Sequence, residues 1–266
     1  MGVAVQDEER ASGGRGEVLR LYLALGISSG DVVAFAGAGG KSGAILSIAR
    51  ELVDDGMRVI VAPTTKMLLT ETERVGPLVT LDKAGDPTSR IKSSLVGSGA
   101  VAVGSGLLSK KRVSGVEPDF VSALAKLVDV VLVETDGSRR RPIKGTAGHE
   151  PLLPGSSTLV VAVANIHALG KPVDEEHVHR PQLFSDLTDI GPGQSITAHA
   201  FALALAHGSL RDLPEGARPA ALLTGVEPGR SMSAAALVTR ELWKTGVKKV
   251  VLSSLPQESP GRVWVP

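Results

Sequence analysis

The chain has 266 residues, 42% of them apolar and 21% charged, with a formal net charge of +1. That length suits one large α/β domain or two small ones, and the near-zero charge excludes the global basic field of a nucleic-acid binder. The absence of cysteine excludes disulfides, thiolate zinc sites, a cysteine nucleophile and any persulfide-type carrier chemistry.

Taken in chain order, residues 1–16 read MGVAVQDEERASGGRG, with early acids and no apolar segment. No signal peptide is expected, and Gln6 stands where a myristoylation site wants Ser or Thr. We expect a flexible tail over 1–16, a single domain over 17–266 and a cytoplasmic protein. No apolar run approaches the ~18 residues that cross a bilayer. The run 32–36 predicts a strand that feeds a glycine loop. Ile45, Ile48, Ala49, Leu52 and Val53 then recur at helical spacing, and Gly56 is a plausible stop. Further strands are expected at 58–62, 78–81, 100–104, 130–134, 158–165, 220–225 and 249–255, with a helix over 234–243. Unalternated Val, Leu and Ile runs between helices argue for a parallel sheet with helices on both faces. The fold class expected is therefore α/β. The glycine- and proline-rich stretch 137–155 reads as a long loop, and loops beyond ~12 residues inside a domain are often functional.

The glycine loop, AFAGAGGKSGAI over 34–45, allows three readings. A dinucleotide fingerprint would place its third glycine on Ser42 and would want an acid after the second strand; Pro63, Thr64, Thr65 and Lys66 stand there instead. A plain strand-to-helix turn would leave Lys41 in the first helical turn, against the helix dipole. A compact phosphate loop, G-x-x-G-K-S, uses Gly37, Ala38, Gly39, Gly40, Lys41 and Ser42 together. Glycines give the tight path, backbone N–H groups converge on the anion, the lysine meets phosphate and the hydroxyl meets Mg²⁺. We favour this third reading.

Such a loop needs acids on a neighbouring strand. Glu134 ends the apolar run 130–133, and Asp136 follows two residues later. Both would emerge at the C-terminal edge of a parallel sheet, where they could serve Mg²⁺ and orient a nucleophile. Arg139, Arg140, Arg141 and Lys144 come next. Three consecutive arginines cannot all face one ligand; one could hold a phosphate or another anion, and a solvated basic loop is equally compatible. Thr64, Thr65 and Lys66 could meet Mg²⁺ or a γ-phosphate, or form a capping turn. His149 either lines the site or caps the turn before Pro151. His177 and His179 lie beside Asp174, Glu175 and Glu176, but no third well-spaced metal ligand is evident. His199 and His207 lie in an apolar Ala/Leu stretch, which points to structural roles.

Four motifs in this order, GAGGKS, APTTKM, VETDGSRRRPIKGTAGHEPLLP and HALGKPVDEEHVHRPQLF, resemble the YqeC family of selenium-dependent hydroxylase accessory proteins. The resemblance spans residues 37–184. It implies a three-layer fold like that of phosphate-loop NTPases and a maturation role for selenium-containing molybdenum hydroxylases. It carries over the nucleotide loop Gly37 to Ser42, the TTK element Thr64 to Lys66, and the acidic element Glu134, Asp136 and Gly137. Pro63 replaces the family's first threonine. His149, Glu150, His179 and Arg180 match later motifs without assigned roles. LLTGVEPG over 222–229 lacks the Asn and Asp of a guanine-reading element, so ATP is the expected nucleotide.

The function expected is a Mg-NTPase, with Lys41, Glu134 and Asp136 catalytic and Ser42, Glu134 and Asp136 around Mg²⁺. Arg139, Arg140, Lys144 and His149 would hold an anionic partner such as a pterin phosphate. Expected partners are an apo molybdenum hydroxylase or cofactor-assembly proteins, with no nucleic acid and no membrane. The rivals are a nucleotide-gated chaperone or scaffold with little turnover, and a small-molecule kinase with Asp136 as base.

Overall fold

The structure, a computed structural model, describes residues 19–255 and 262–266. The tail expected over 1–16 lies outside the described residues. Nine strands form the main sheet: β1 (Val32–Gly37), β2 (Val59–Pro63), β3 (Leu78–Thr80), β4 (Ala100–Gly104), β5 (Val130–Glu134), β6 (Leu159–Asn165), β7 (Arg218–Thr224), β8 (Lys249–Ser253) and β9 (Val263–Trp264). Their order across the sheet is β9-β8-β7-β6-β1-β5-β2-β4-β3. Every pairing is parallel except β8 with β9. β1 and β6 are buried through almost their whole length, because helices cover both sheet faces and leave no side for polar alternation.

Strand residues alternate between the two layers. Val33 and Phe35 of β1 point into a core filled by α1 (Leu21–Leu25) and α2 (Lys41–Asp54), through Ile45, Ile48 and Leu52 of α2. Ala34 points the other way, toward Phe201 of α3 (Ala198–Leu203) and Val238 and Leu242 of α4 (Met232–Lys244). Val32 shares that second face farther along, with Ile60, Val131 and the side chains of Ile91 and Leu124. Hydrophobic spacing alone accounts for α2 and α4, whose buried residues recur every three or four positions.

The strand order sets the site. β5 and β6 flank β1 on opposite sides, so the segment 135–158 that joins them must straddle β1. It crosses the C-terminal end of β1, where the N–H of Asn165 donates to the carbonyl of Pro142 at 2.8 Å. It then returns to the start of β1, where the N–H of Thr158 donates to the carbonyl of Val32 at 2.9 Å. Within it, Ile143–Lys144 forms a short parallel pair with Val178–His179. A separate three-stranded sheet joins Met67–Leu68 to the hairpin Gly106–Ser109 and Arg112–Ser114. No helix among the described residues is long and apolar enough to cross a membrane.

Candidate functional site: two adjoining hollows at the sheet edge

The glycine loop runs from the end of β1 into α2. Gly37, Gly39 and Gly40 have φ of 101°, 69° and 127°, a region L side chains rarely enter. Space demands glycine as well. A Cβ on Gly39 would lie 2.4 Å from the Asn165 nitrogen and 2.4 Å from the Pro142 oxygen, and one on Gly37 would lie 2.4 Å from the Val163 oxygen. The loop is wedged between the end of β6 and the segment that crosses above β1.

The N–H of Ala38 still donates to the Val163 carbonyl, at 2.8 Å. Past it the backbone amides are free: among the described residues, the N–H groups of Gly39, Gly40, Lys41, Ser42 and Gly43 have no protein acceptor. These five residues border a hollow of about 850 Å³, together with Lys66, Leu68, Glu71, Arg112, Glu134, Arg139, Arg140, Asn165 and His167. A row of unbonded amides at the start of a helix offers the donors and the dipole that suit an anion.

Two acids sit beneath it in different states. The Ser42 hydroxyl donates to Glu134 Oε2 at 3.0 Å. Burial pushes the Glu134 carboxyl up to about 6, and the charges of Glu71 and Asp136 add to this against the opposing pull of Lys41 and Ser42. Asp136 is fully buried. Its two oxygens accept from the Gly37 N–H at 3.1 and 2.9 Å, while Lys41 Nζ lies 3.0 Å from Oδ1 and Lys144 Nζ 2.9 Å from Oδ2. Lys41 also donates to the Gly37 carbonyl at 2.5 Å. Burial would lower the Lys41 pKa, but the charges of Asp136 and Glu134 win and raise it, so the ammonium persists.

Lys144 is itself buried, and it bridges Asp136 to Glu150, whose Oε2 lies 2.6 Å from its Nζ. Glu150 in turn takes both ends of the Arg180 guanidinium, the Nη2–Oε1 contact being 3.2 Å. Burial would raise the Glu150 carboxyl, but the hydrogen bonds and charges of Arg180 and Lys144 hold it down at about 2. Lys41, Asp136, Lys144, Glu150 and Arg180 therefore form one alternating chain of charge, from the glycine loop to the start of the helix Pro181–Thr188. Asp136 and Lys144 serve this internal chain. The sequence reading put Asp136 beside a cation and Lys144 on an anionic partner; in the structure both side chains are buried, Asp136 against Lys41 and Lys144, and Lys144 against Asp136 and Glu150.

A second hollow, of about 1120 Å³, adjoins the first and shares Lys66, Arg112, Gly137 and Arg139 with it. Thr64, Thr65, Arg141, His149, Glu150, His179 and Arg180 line it. Thr64 and Thr65 thus face this side, not the glycine loop; the Thr64 hydroxyl donates to the Leu152 carbonyl at 2.9 Å. The arginine run is split by its backbone. Arg139 and Arg140 take left-handed φ of 48° and 61°, so Arg139 borders both hollows, Arg140 the first and Arg141 the second. Left-handed non-glycine residues are uncommon and persist only where the surrounding structure holds them. His179 is pushed down to about 4, by burial first and then by Arg180 and Lys144, so it is neutral near pH 7.

Sequence reasoning missed Asn165 and His167 at the end of β6, and Glu71 and Arg112 from distant segments. The strand end before Asn165 was the available signal for the first pair; only the folded chain brings Glu71 and Arg112 in. His177 pairs with Asp174 at 2.8 Å, and no group of three or more metal-ligating side chains occurs among the described residues. His199 is a surface residue beside Glu241, at 3.2 Å, and His207 is exposed.

A mostly parallel sheet with helices on both faces, whose central strand enters a helix through GAGGKS, defines an α/β protein with a glycine loop at its sheet edge. The chain belongs to the YqeC family: the family's model, described as YqeC protein, matches residues 33–182. The YqeC protein of Escherichia coli K12 is 32% identical over 191 residues, covering 70% of this chain and 73% of that one. Among solved structures, the signal recognition particle receptor FtsY of Elizabethkingia anophelis aligns loosely, at a TM-score of 0.34 and 13% identity. The alignment covers 79% of this chain and 54% of the receptor's, so the chain spans about half of that protein's length.

Proposed function

We propose that the chain binds a magnesium–nucleoside triphosphate in the first hollow and uses it in the maturation of selenium-dependent molybdenum hydroxylases. The observation that carries the nucleotide reading is the run of five unbonded amides from Gly39 to Gly43 at the head of α2, bordering that hollow. Their dipoles and the helix terminus favour phosphate oxygens. The Ser42 hydroxyl and the Glu134 carboxylate, 3.0 Å apart, are a hard oxygen pair suited to Mg²⁺. They would hold the ion, which would screen charge on the phosphates. Lys41 reaches the phosphates by exchanging its Gly37 and Asp136 contacts for them. Asn165 and His167 line the same hollow, and in this reading they would meet the nucleoside. ATP is the nucleotide we favour, and the recipient of the work is an apo-hydroxylase or a cofactor-assembly partner, as the family resemblance implies.

Calorimetry with Mg-ATP tests the reading. Wild-type protein is expected to bind in the micromolar range. Ser42→Ala should weaken binding at least tenfold in Mg²⁺ and little in EDTA. Equal affinities for the variant and the wild type in Mg²⁺ would remove the site assignment. Phosphate release with and without an apo-hydroxylase then separates an NTPase from a nucleotide-gated chaperone.

A further inference from the structure

The second hollow is as large as the first, opens beside it and lies outside the amide row that reads phosphate. Its charge is unusual. Glu150 is already matched by Lys144 and Arg180. Lys66, Arg112, Arg139 and Arg141, by contrast, form no ion pair among the described residues, and all four border this hollow, opposed there only by Glu117 and Glu175. Four unpaired cations around one concavity repel one another, and an anionic ligand removes that cost. None of the residues that line it is Phe, Tyr or Trp, so recognition rests on charge and hydrogen bonds and not on stacking.

Its far wall is built for rigidity. Glu150 grips Arg180 through both guanidinium nitrogens, and Lys144 pins Glu150 from behind. The parallel pair of Ile143–Lys144 with Val178–His179 fixes that wall to the segment crossing β1. A guanidinium locked at one face by a carboxylate presents its remaining N–H groups in a set direction, which is how arginine selects oxyanions. His179, held neutral beside it, adds a donor and an acceptor without further charge, and His149 on the rim adds ring nitrogens that can hydrogen-bond.

We infer that this hollow is the binding site of a second, polyanionic small molecule, one bearing phosphate or carboxylate groups, held next to the phosphate end of the nucleotide. The inference deepens the nucleotide reading above and rests on it for the neighbour it names. Lys66, Arg112 and Arg139 serve both occupants from the shared wall. Arg141, Arg180, His149 and His179 serve only the second. The left-handed turn at Arg139 and Arg140 is what lets three adjacent arginines address two ligands.

The test is a titration of the full chain, first saturated with a non-hydrolysable Mg-ATP analogue, with pyrophosphate and, in a parallel arm, citrate. One further binding event is expected. The tighter of the two probes names the preferred anion as phosphate or carboxylate. Arg141→Ala and, independently, His149→Ala should weaken it, the former at least tenfold, with analogue affinity changed less than twofold. Neither side chain makes a hydrogen bond or ion pair among the described residues, so neither substitution removes a structural contact. Absence of any second event, displacement of the analogue by both probes, or full retention of affinity in Arg141→Ala would each overturn the inference. Failure of the analogue to bind would remove the nucleotide reading alone; pyrophosphate binding that Arg141→Ala weakens and Ser42→Ala does not would then still uphold the second site, and its absence would remove it.

Discussion

Asp136→Asn separates two roles for the acid that follows β5. In the structure its carboxylate faces two ammonium groups, Lys41 at 3.0 Å and Lys144 at 2.9 Å, and accepts the Gly37 N–H through both oxygens. Asparagine keeps the shape but turns one acceptor into a donor, aimed at groups that also donate. Lys41 retains the Gly37 carbonyl, and Lys144 retains Glu150 and the Gly137 carbonyl at 3.0 Å. Removing one partner of a buried ion pair costs about 3–5 kcal/mol, because the other charge stays buried. With two lysines affected, Lys41 keeping one partner and Lys144 two, we expect a loss of about 4 kcal/mol at pH 7. At ~2–4 °C per kcal/mol for a chain of this size, the melting temperature should fall by roughly 8–16 °C. Urea unfolding followed by circular dichroism measures the free energy directly. A loss below about 1 kcal/mol would refute the hub role. If such a variant also lost Mg²⁺-dependent nucleotide binding, Asp136 would be the cation's neighbour that its position after a strand first suggests.

Glu134 carries the pH dependence. Its carboxyl is raised to about 6, so it is ionised above that pH and protonated below it; Mg²⁺-dependent nucleotide affinity should fall as pH drops from 7 to 5 in calorimetry, and a flat profile would exclude Glu134 from the ion. The same raised pKa means that the ionised acid strains the unliganded fold, so Glu134→Gln should gain up to about 2 kcal/mol at pH 8 in urea unfolding, a gain that shrinks as pH falls through about 6 and vanishes below ~4.5. Glu150 and His179 act with the opposite sign. Both are depressed, to about 2 and about 4, so each stabilises the fold above its unfolded pKa and loses that contribution as pH falls, His179 between ~6.5 and 4 and Glu150 between ~4.5 and 2. His179→Gln should therefore flatten the stability loss over the upper window only, and a loss identical to wild type there would count against the burial of a neutral imidazole. Gly39→Ala meets backbone at 2.4 Å on two sides in a left-handed conformation; it should cost more than about 1 kcal/mol and abolish nucleotide binding, both read from one thermal-shift titration.

Much of the sheet could be read from the chain. The strands at 32–37, 59–63, 100–104, 130–134, 159–165 and 249–253 fall within a residue or two of the apolar runs that mark them, because strands buried on both faces need unbroken Val, Leu, Ile and Ala. The short strands at 106–109, 112–114, 143–144 and 178–179 left no such trace. Half-exposed or two residues long, they carry no unbroken apolar run; 106–109 and 112–114 pair with each other as a hairpin, while 143–144 and 178–179 depend on a partner distant in sequence that no local pattern encodes. The stretch 137–155 was legible as a loop, but not the pairing inside it.

By itself the sequence determined the loop Gly37 to Ser42 and the acids Glu134 and Asp136 at the exit of β5, since a tight glycine turn, a lysine that opens a helix and a strand exit are each set within a few neighbouring residues. Only the tertiary structure decided how those acids divide. Glu134 faces the hollow beside Ser42 with a raised pKa, while Asp136, two residues on, turns inward onto Lys41 and Lys144. It also decided that Thr64 and Thr65 face a second hollow and that three adjacent arginines are shared out along the borders of two. The physical reason is the strand order: β5 and β6 flank β1, so the chain between them must cross the glycine loop, and that crossing folds Lys144, Glu150 and Arg180 into a charge network no linear spacing reveals.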